Sequence, residues 1–446
     1  MRKLLLLLLA WNQLCLADMG SLSAESASYS ENDLLLKGSV TIEHSLGTMK
    51  ADSAVMKRNA SQEVSYPITS LELFSSIEIT LANQARLSCE KAYFDFKALK
   101  ALLSSPSNIH YSDQLRRKDK KTPFEFFTPQ VTLQMQHLPS SYQLTSIQAS
   151  NGVHLVYDAL YHLHADALTF KDHHITSSSE GCIWTHLDDE LKATHFDLNL
   201  ALEELRLYQV VGSLHTLAQE KIHLKSDCID FKHQESTVFL KGASFIEFPT
   251  LGCLSSSEEM KLFLENHLTA DLYTTGVTTL KSITGDYITS YGPIHVDSLT
   301  HTITAHPSSC HTPLLYEGEE LLLEAQEAIL TYEEGGKLFS PHQLELEGAI
   351  KILSKEALSH QIQAVADHVS YHPSTKNCIL KAHTGSKVLI TQESPSLKMS
   401  ADEIHLIYDP FAKEYSIQGV GCVSFSLSAT EQQLLNQVFH DKKHAS

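Results

Sequence analysis

The sequence predicts an all-β chain of antiparallel strands running from about residue 30 to about residue 428. Two recurring patterns carry that reading, and no long helical pattern interrupts them. The first is strict alternation of apolar and polar residues, the mark of a half-buried strand. Leu34, Leu36, Gly38, Val40 and Ile42 share one face, opposed by Leu35, Lys37, Ser39, Thr41 and Glu43. Leu344, Leu346, Gly348, Ile350 and Ile352 repeat that register. Leu240, Gly242, Ser244, Ile246 and Phe248 form a weaker copy. Ile417, Gly419, Gly421, Val423, Phe425 and Leu427 form a fourth. Each row contains Gly, which inside a strand marks a bulge, a bend or close backbone approach.

The second pattern opens on a small residue and an acid and continues as a strand. Examples are Ala51-Asp52, Ala165-Asp166, Ser226-Asp227, Ala366-Asp367 and Ala401-Asp402, with Cys89-Glu90 a degenerate version. An aromatic and turn chemistry follow, as in Asp409-Pro410, His372-Pro373-Ser374 and Lys171-Asp172. One reading of the acid is catalytic. The other is structural: an acid at a strand start that satisfies turn amides, a role Asp suits well. Catalysis does not require the same acid copied along a chain, so the structural reading is preferred. Unequal spacing and turn-linked pairs favour antiparallel pairing over the parallel coils of a solenoid. At about ten to twelve residues per strand and turn, the span holds about thirty strands.

The ends differ from this middle. Arg2 and Lys3, then Leu4 to Leu9, then Cys15-Leu16-Ala17 read as a signal peptide over residues 1–17. Its apolar run is too short for a stable membrane span, and no later segment is a candidate transmembrane helix. Thr430-Glu431-Gln432-Gln433 resembles a capping box, with Leu434, Leu435, Val438 and Phe439 on one face. A short C-terminal helix in the tail 430–446 follows. The run Arg116-Arg117-Lys118-Asp119-Lys120-Lys121 reads as a solvated loop.

Composition excludes several functions. The 446 residues carry 34 Lys plus Arg against 53 Asp plus Glu, a net charge of −19. Loss of Arg2 and Lys3 with the leader makes it −21. Such an acidic chain does not bind nucleic acid without sequence preference. Seven cysteines remain after the leader, scattered and without a CxxC pair, which speaks against a zinc cluster. They read mostly as small half-buried hydrophobes. His162-x-His164 and His173-His174 could ligate a metal from adjacent strands, since residues i and i+2 share a face. No Cys or acid completes a recognisable site. Neither a GxSxG elbow, an HExxH nor a P-loop occurs, so the chain reads as a non-enzyme with no catalytic residue, metal or cofactor.

Two stretches resemble a known family. Leu397-Lys398-Met399-Ser400-Ala401-Asp402 to Pro410, followed by Tyr415 to Phe425, is similar to the OstA/LptA-type lipopolysaccharide transport proteins. Leu34 to Ile42, leading to Met49-Lys50-Ala51-Asp52, resembles that family's opening strands. The resemblance implies an antiparallel β-jellyroll, two sheets folded like a taco, here extended or in tandem. The division is then 18–215 for an N-terminal OstA-like jellyroll and 216–429 for a C-terminal one. It also implies a periplasmic protein, free or associated with the outer membrane, that takes part in lipopolysaccharide transport or assembly. The acyl chains of lipopolysaccharide would lie in an apolar groove. Its candidate walls are Leu36, Val40, Ile42, Leu346, Ile350, Ile352, Ile404, Leu406, Tyr408, Val423, Phe425 and Leu427. Partners of the same family would join by edge-strand addition. The alternative is a structural, surface-associated β-solenoid. The chain departs from the family in length, being more than twice a typical periplasmic bridge protein.

Overall fold

The computed structural model describes residues 19–30, 32–58, 68–117, 120–139, 141–177, 181–215, 221–232, 237–249, 252–263, 272–283, 285–297, 300–306, 313–319, 321–333, 340–355, 362–392, 397–412 and 414–426. The expected signal peptide and C-terminal helix lie outside these residues, as does Leu427. The described chain is all β, with 35 strands, and every described pairing is antiparallel. Its architecture is jellyroll-like. Two compact units divide it, Met1–Gly212 and Ser213–Ser446.

Within each unit the chain runs back and forth in rungs, and each rung bends at its middle. In the first unit Asp33–His44 pairs with Gly47–Arg58, and that strand pairs with Ile68–Leu81. Arg86–Asp95, Lys100–Arg117, Lys120–Leu138, Ser141–Tyr157 and Tyr161–Lys171 extend the same meander. The pairing register slips at the middle of these rungs. Beyond that the bend becomes a break. His174–Ser177 and Cys182–His186 pair with opposite halves of Tyr161–Lys171, so together they make one rung. The second unit repeats this layout. Lys221–Lys232 pairs with Thr237–Phe248, whose halves pair with Gly252–Ser256 and Glu259–Phe263. Ser340–Ser354 pairs with Ile362–His372 in the same manner.

The two sequence patterns are the two kinds of rung. Where Gly marks the bend, three residues separate the flanking inward positions: Leu36 and Val40, Leu240 and Ser244, Leu346 and Ile350 are all buried. Where an acid marks it, only two do: Ala51 and Ala54, Ser226 and Ile229, Ala366 and Val369, Ala401 and Ile404. Two residues therefore face one at each bend, the arrangement of a β-bulge, and this folds one half-sheet over the other. The extra residue takes positive φ at Gly38, Ser75, Asn108, Asn151, Gly181, Gln209, Gly242, Gly276, Gly348, Gly385 and Gly421. Successive ones lie about 30 to 40 residues apart, except between Gly276 and Gly348, where part of the chain lies outside the described residues.

The acid brackets the extra residue from the rung before. Ala243 N donates to Asp227 Oδ2, His383 N to Asp367 Oδ2 and Cys422 N to Asp402 Oδ2, each at 2.8 Å. The Ser39 hydroxyl donates to Glu25 Oε1 and the Ser107 hydroxyl to Glu90 Oε1, both at 3.0 Å. The structural reading of the acid thus agrees with its contacts, but its place differs from the expected one. It sits at mid-strand, not at a strand start, because the parity of the apolar row flips there. A Lys387 ammonium and the Cys422 amide hold the Asp402 carboxyl below its usual range.

The basic run is also corrected. Arg116 pairs with Lys121 and Arg117 with Lys120, so these four residues end two long strands and do not lie in a loop, while Lys118 and Asp119 lie outside the described residues. Among the described cysteines none is disulfide-bonded, and Cys89, Cys182 and Cys378 are buried. Burial pushes the Cys89 thiol up to about 12 and the Cys182 thiol to about 11, and raises Cys378 as well. Since only the thiolate reacts, a maleimide at about pH 8 is expected to label exposed Cys422 first. Mass spectrometry of the native protein should find Cys89, Cys182 and Cys378 unmodified until denaturant is added.

Candidate functional site

A sheet folded along its middle has two free edges, and what happens between them decides whether the interior is reachable. In the first unit those edges meet beside the turn at 45–46 and the start of the strand Ser141–Tyr157. Tyr142 N donates to Ser45 Oγ at 2.8 Å across 97 residues of chain. The rings of His44, Phe96 and Tyr142 lie 5.4 to 5.6 Å from one another. Beside this seam is a cavity of about 470 Å³, within the size range of small-molecule sites. Leu46, Leu81, Tyr111, Leu144, Ile147 and Phe170 supply its apolar wall. Asn83, Gln143, Lys171, Asp172 and His173 supply polar atoms.

Tyr111 and Phe170, at its floor, belong to an aromatic cluster that continues behind it. Tyr111 stacks on Phe126 at 4.6 Å and meets Phe124 edge-on at 5.7 Å, and Phe170 closes on Phe124 at 5.8 Å. The Tyr111 hydroxyl donates to Asp113 Oδ2 at 3.1 Å. Burial, then the Asp113 charge, pushes its phenol well above the usual range.

The second unit closes its edges differently. Tyr316 and Tyr371 meet edge-on at 5.7 Å, and Lys376 pairs with Glu319 at 2.8 Å. Burial raises both phenols. Its last described rung, Glu414–Val420 and Ser424–Ser426, leaves an apolar row half open. Phe425, opposite Met399, is 60% exposed.

The wall residues expected from sequence divide accordingly. Leu36, Val40, Ile42, Leu346, Ile350, Ile352, Ile404 and Leu406 are buried between the half-sheets. Tyr408 and Val423 are half-buried, and Phe425 is exposed. The cavity wall of Tyr111, Leu144 and Phe170 was not among the expected residues. Its signal in the sequence is a crowd of aromatics, Tyr111, Phe124, Phe126 and Phe127.

No family model matches the chain, and no curated protein sequence matches it. Among solved structures it is similar to LptH. That protein is the LptA-homologous periplasmic component of the lipopolysaccharide transport device from Pseudomonas aeruginosa. The likeness covers 32% of this chain and 96% of LptH, at 9% identity and a TM-score of 0.26. The architecture of this chain therefore rests on its own register and burial. Among the described residues no helix is long and apolar enough to cross a membrane.

Proposed function

We propose that this chain is a periplasmic, non-enzymatic component of lipopolysaccharide transport or assembly that holds acyl chains between its folded half-sheets. The observation that carries the reading is the seam cavity of about 470 Å³ opening onto an apolar, aromatic floor. An acyl chain gains about 0.8 kcal/mol per buried CH₂, so affinity requires few polar contacts. A net charge of −19 fits that mode, since attraction to phosphate contributes little on an acidic protein. Periplasmic location follows from the leader read over residues 1–17, and partners of the same fold would join at exposed strand edges.

The proposed contact surface is narrower than the row of walls read from sequence. It comprises the cavity in the first unit and the open row at Val423 and Phe425 in the second. A specific observation favours a second reading, a purely structural β-protein: most of the inward row is buried. Antiparallel pairing removes the parallel-coil version of that alternative.

A photo-reactive residue placed at Leu144, Phe170 or Phe425 is expected to form lipopolysaccharide adducts in cells. Outward-facing Ser424 and Lys351 serve as controls and should form few. Equal yields from controls and test positions, read by immunoblot against lipopolysaccharide, would sink the lipid reading and leave the structural one.

A further inference from the structure

The seam cavity of the first unit has a shape and a size that specify its occupant, given the reading that it holds lipid. One side of its apolar lining runs from Leu46 past Leu81 to Tyr111. Leu46 adjoins Gly47–Arg58, Leu81 ends Ile68–Leu81, and Tyr111 lies on Lys100–Arg117, with Arg86–Asp95 between the last two. That is three strand spacings, or about 14 Å. Leu144, Ile147 and Phe170 line the other side. A slot of that length suits a chain better than a compact ring.

The volume limits how much chain it takes. An apolar cavity of about 150 Å³ holds one benzene, six carbons. By that ratio the cavity of about 470 Å³ holds about eighteen carbons. This is one long acyl chain, and less than two chains of ten. Lipopolysaccharide carries several chains, so it cannot place them all here at once. The slot also has two unlike ends. Tyr111, Leu81 and Ile147 are buried. Asn83, Lys171, Asp172 and His173 are exposed and sit at turns or beside them. A buried apolar end and an exposed polar end match a single-chain amphiphile. Lys171 and Asp172 carry opposite charges side by side, so the mouth selects neither sign of headgroup.

We propose that the seam cavity binds one unbranched acyl chain of about sixteen to eighteen carbons, with its tail against Tyr111 and Ile147 and its headgroup at the 172–173 turn. A free fatty acid and a single chain of lipopolysaccharide share that chemistry.

The test titrates the full chain with saturated fatty acids of about eight to about twenty-two carbons, below their micelle concentrations, by calorimetry. Phe425→Ala serves as the background, because it removes the exposed ring of the other proposed contact surface. The expected result is one equivalent per chain. Affinity should rise about fourfold per CH₂ and level off at about sixteen to eighteen carbons. Leu144→Trp, which fills part of the slot, should move that plateau to shorter chains. The fatty alcohol of the same length should bind within about threefold of the acid, since the mouth charges offset each other. Two or more equivalents, or affinity still climbing as steeply at the longest chains, would overturn the single-chain site and leave the lipid reading standing. No binding at any length would overturn it too, and needs no variant of the cavity. Competition separates the two sources. Lipopolysaccharide that displaces the acid one for one enters by a single chain. Lipopolysaccharide that leaves the acid in place makes free single-chain amphiphiles the occupant, and removes this cavity from the lipopolysaccharide reading.

Discussion

Ile350→Ala is expected to destabilise the second unit by about 3 kcal/mol, seen as about hundredfold faster exchange of amides 344–354. Ile350 is 0% exposed and pairs with Ala366, a residue too small to expand into the space left. Leu346 and Ile352 flank it on the same face and are just as enclosed. Removing three carbons there loses transfer energy and leaves a cavity, and both effects destabilise. Phe425→Ala should change stability by under about 0.5 kcal/mol, since that ring is already in water. The pair of results separates core from contact surface along one apolar row. A loss below about 1 kcal/mol at Ile350 would mean that its surroundings relax or open, and would return that stretch to the candidate groove walls.

The half-sheets were legible in the sequence where parity survives the bend. Leu34 to Ile42 and Leu344 to Ile352 keep one face because the Gly bend inserts three residues between inward positions, an odd number. Ala51 and Ala54, or Ala401 and Ile404, sit on the same face three apart. There the period of two breaks, and the acid was read as a strand start. The same break hides bends built on Ser75, Asn108 or Gln209, where no Gly flags the positive φ. The seam was not legible for another reason. Ser45 and Tyr142 are 97 residues apart, and nothing local in either segment records the other.

Gly242→Ala is expected to destabilise the second unit by about 2 to 3 kcal/mol, through backbone strain and loss of the acid bracket together. Gly242 has φ of +77°, and an added Cβ would stand 2.5 Å from Asp227 Oδ2. The carboxylate would have to leave the position from which it accepts the Ala243 amide at 2.8 Å. Asp227→Ala alone should cost about 1 kcal/mol, because the amide it leaves behind is near solvent and finds water. In the Asp227→Ala background Gly242→Ala meets no carboxylate, and what remains is the strain of positive φ and the 2.8 Å approach to the Cβ of residue 227. The two losses should therefore be less than additive, with a coupling of about 1 kcal/mol in a double-mutant cycle followed by hydrogen exchange. Strict additivity would mean that acid and glycine act independently at the bend. A coupling would establish them as one device. The same cycle at Gly421 and Asp402, where a Cβ would lie 2.3 Å from Asp402 Oδ2, should then give the same sign. Such agreement between two bends far apart in sequence is what a repeat held by acid-bracketed bulges requires.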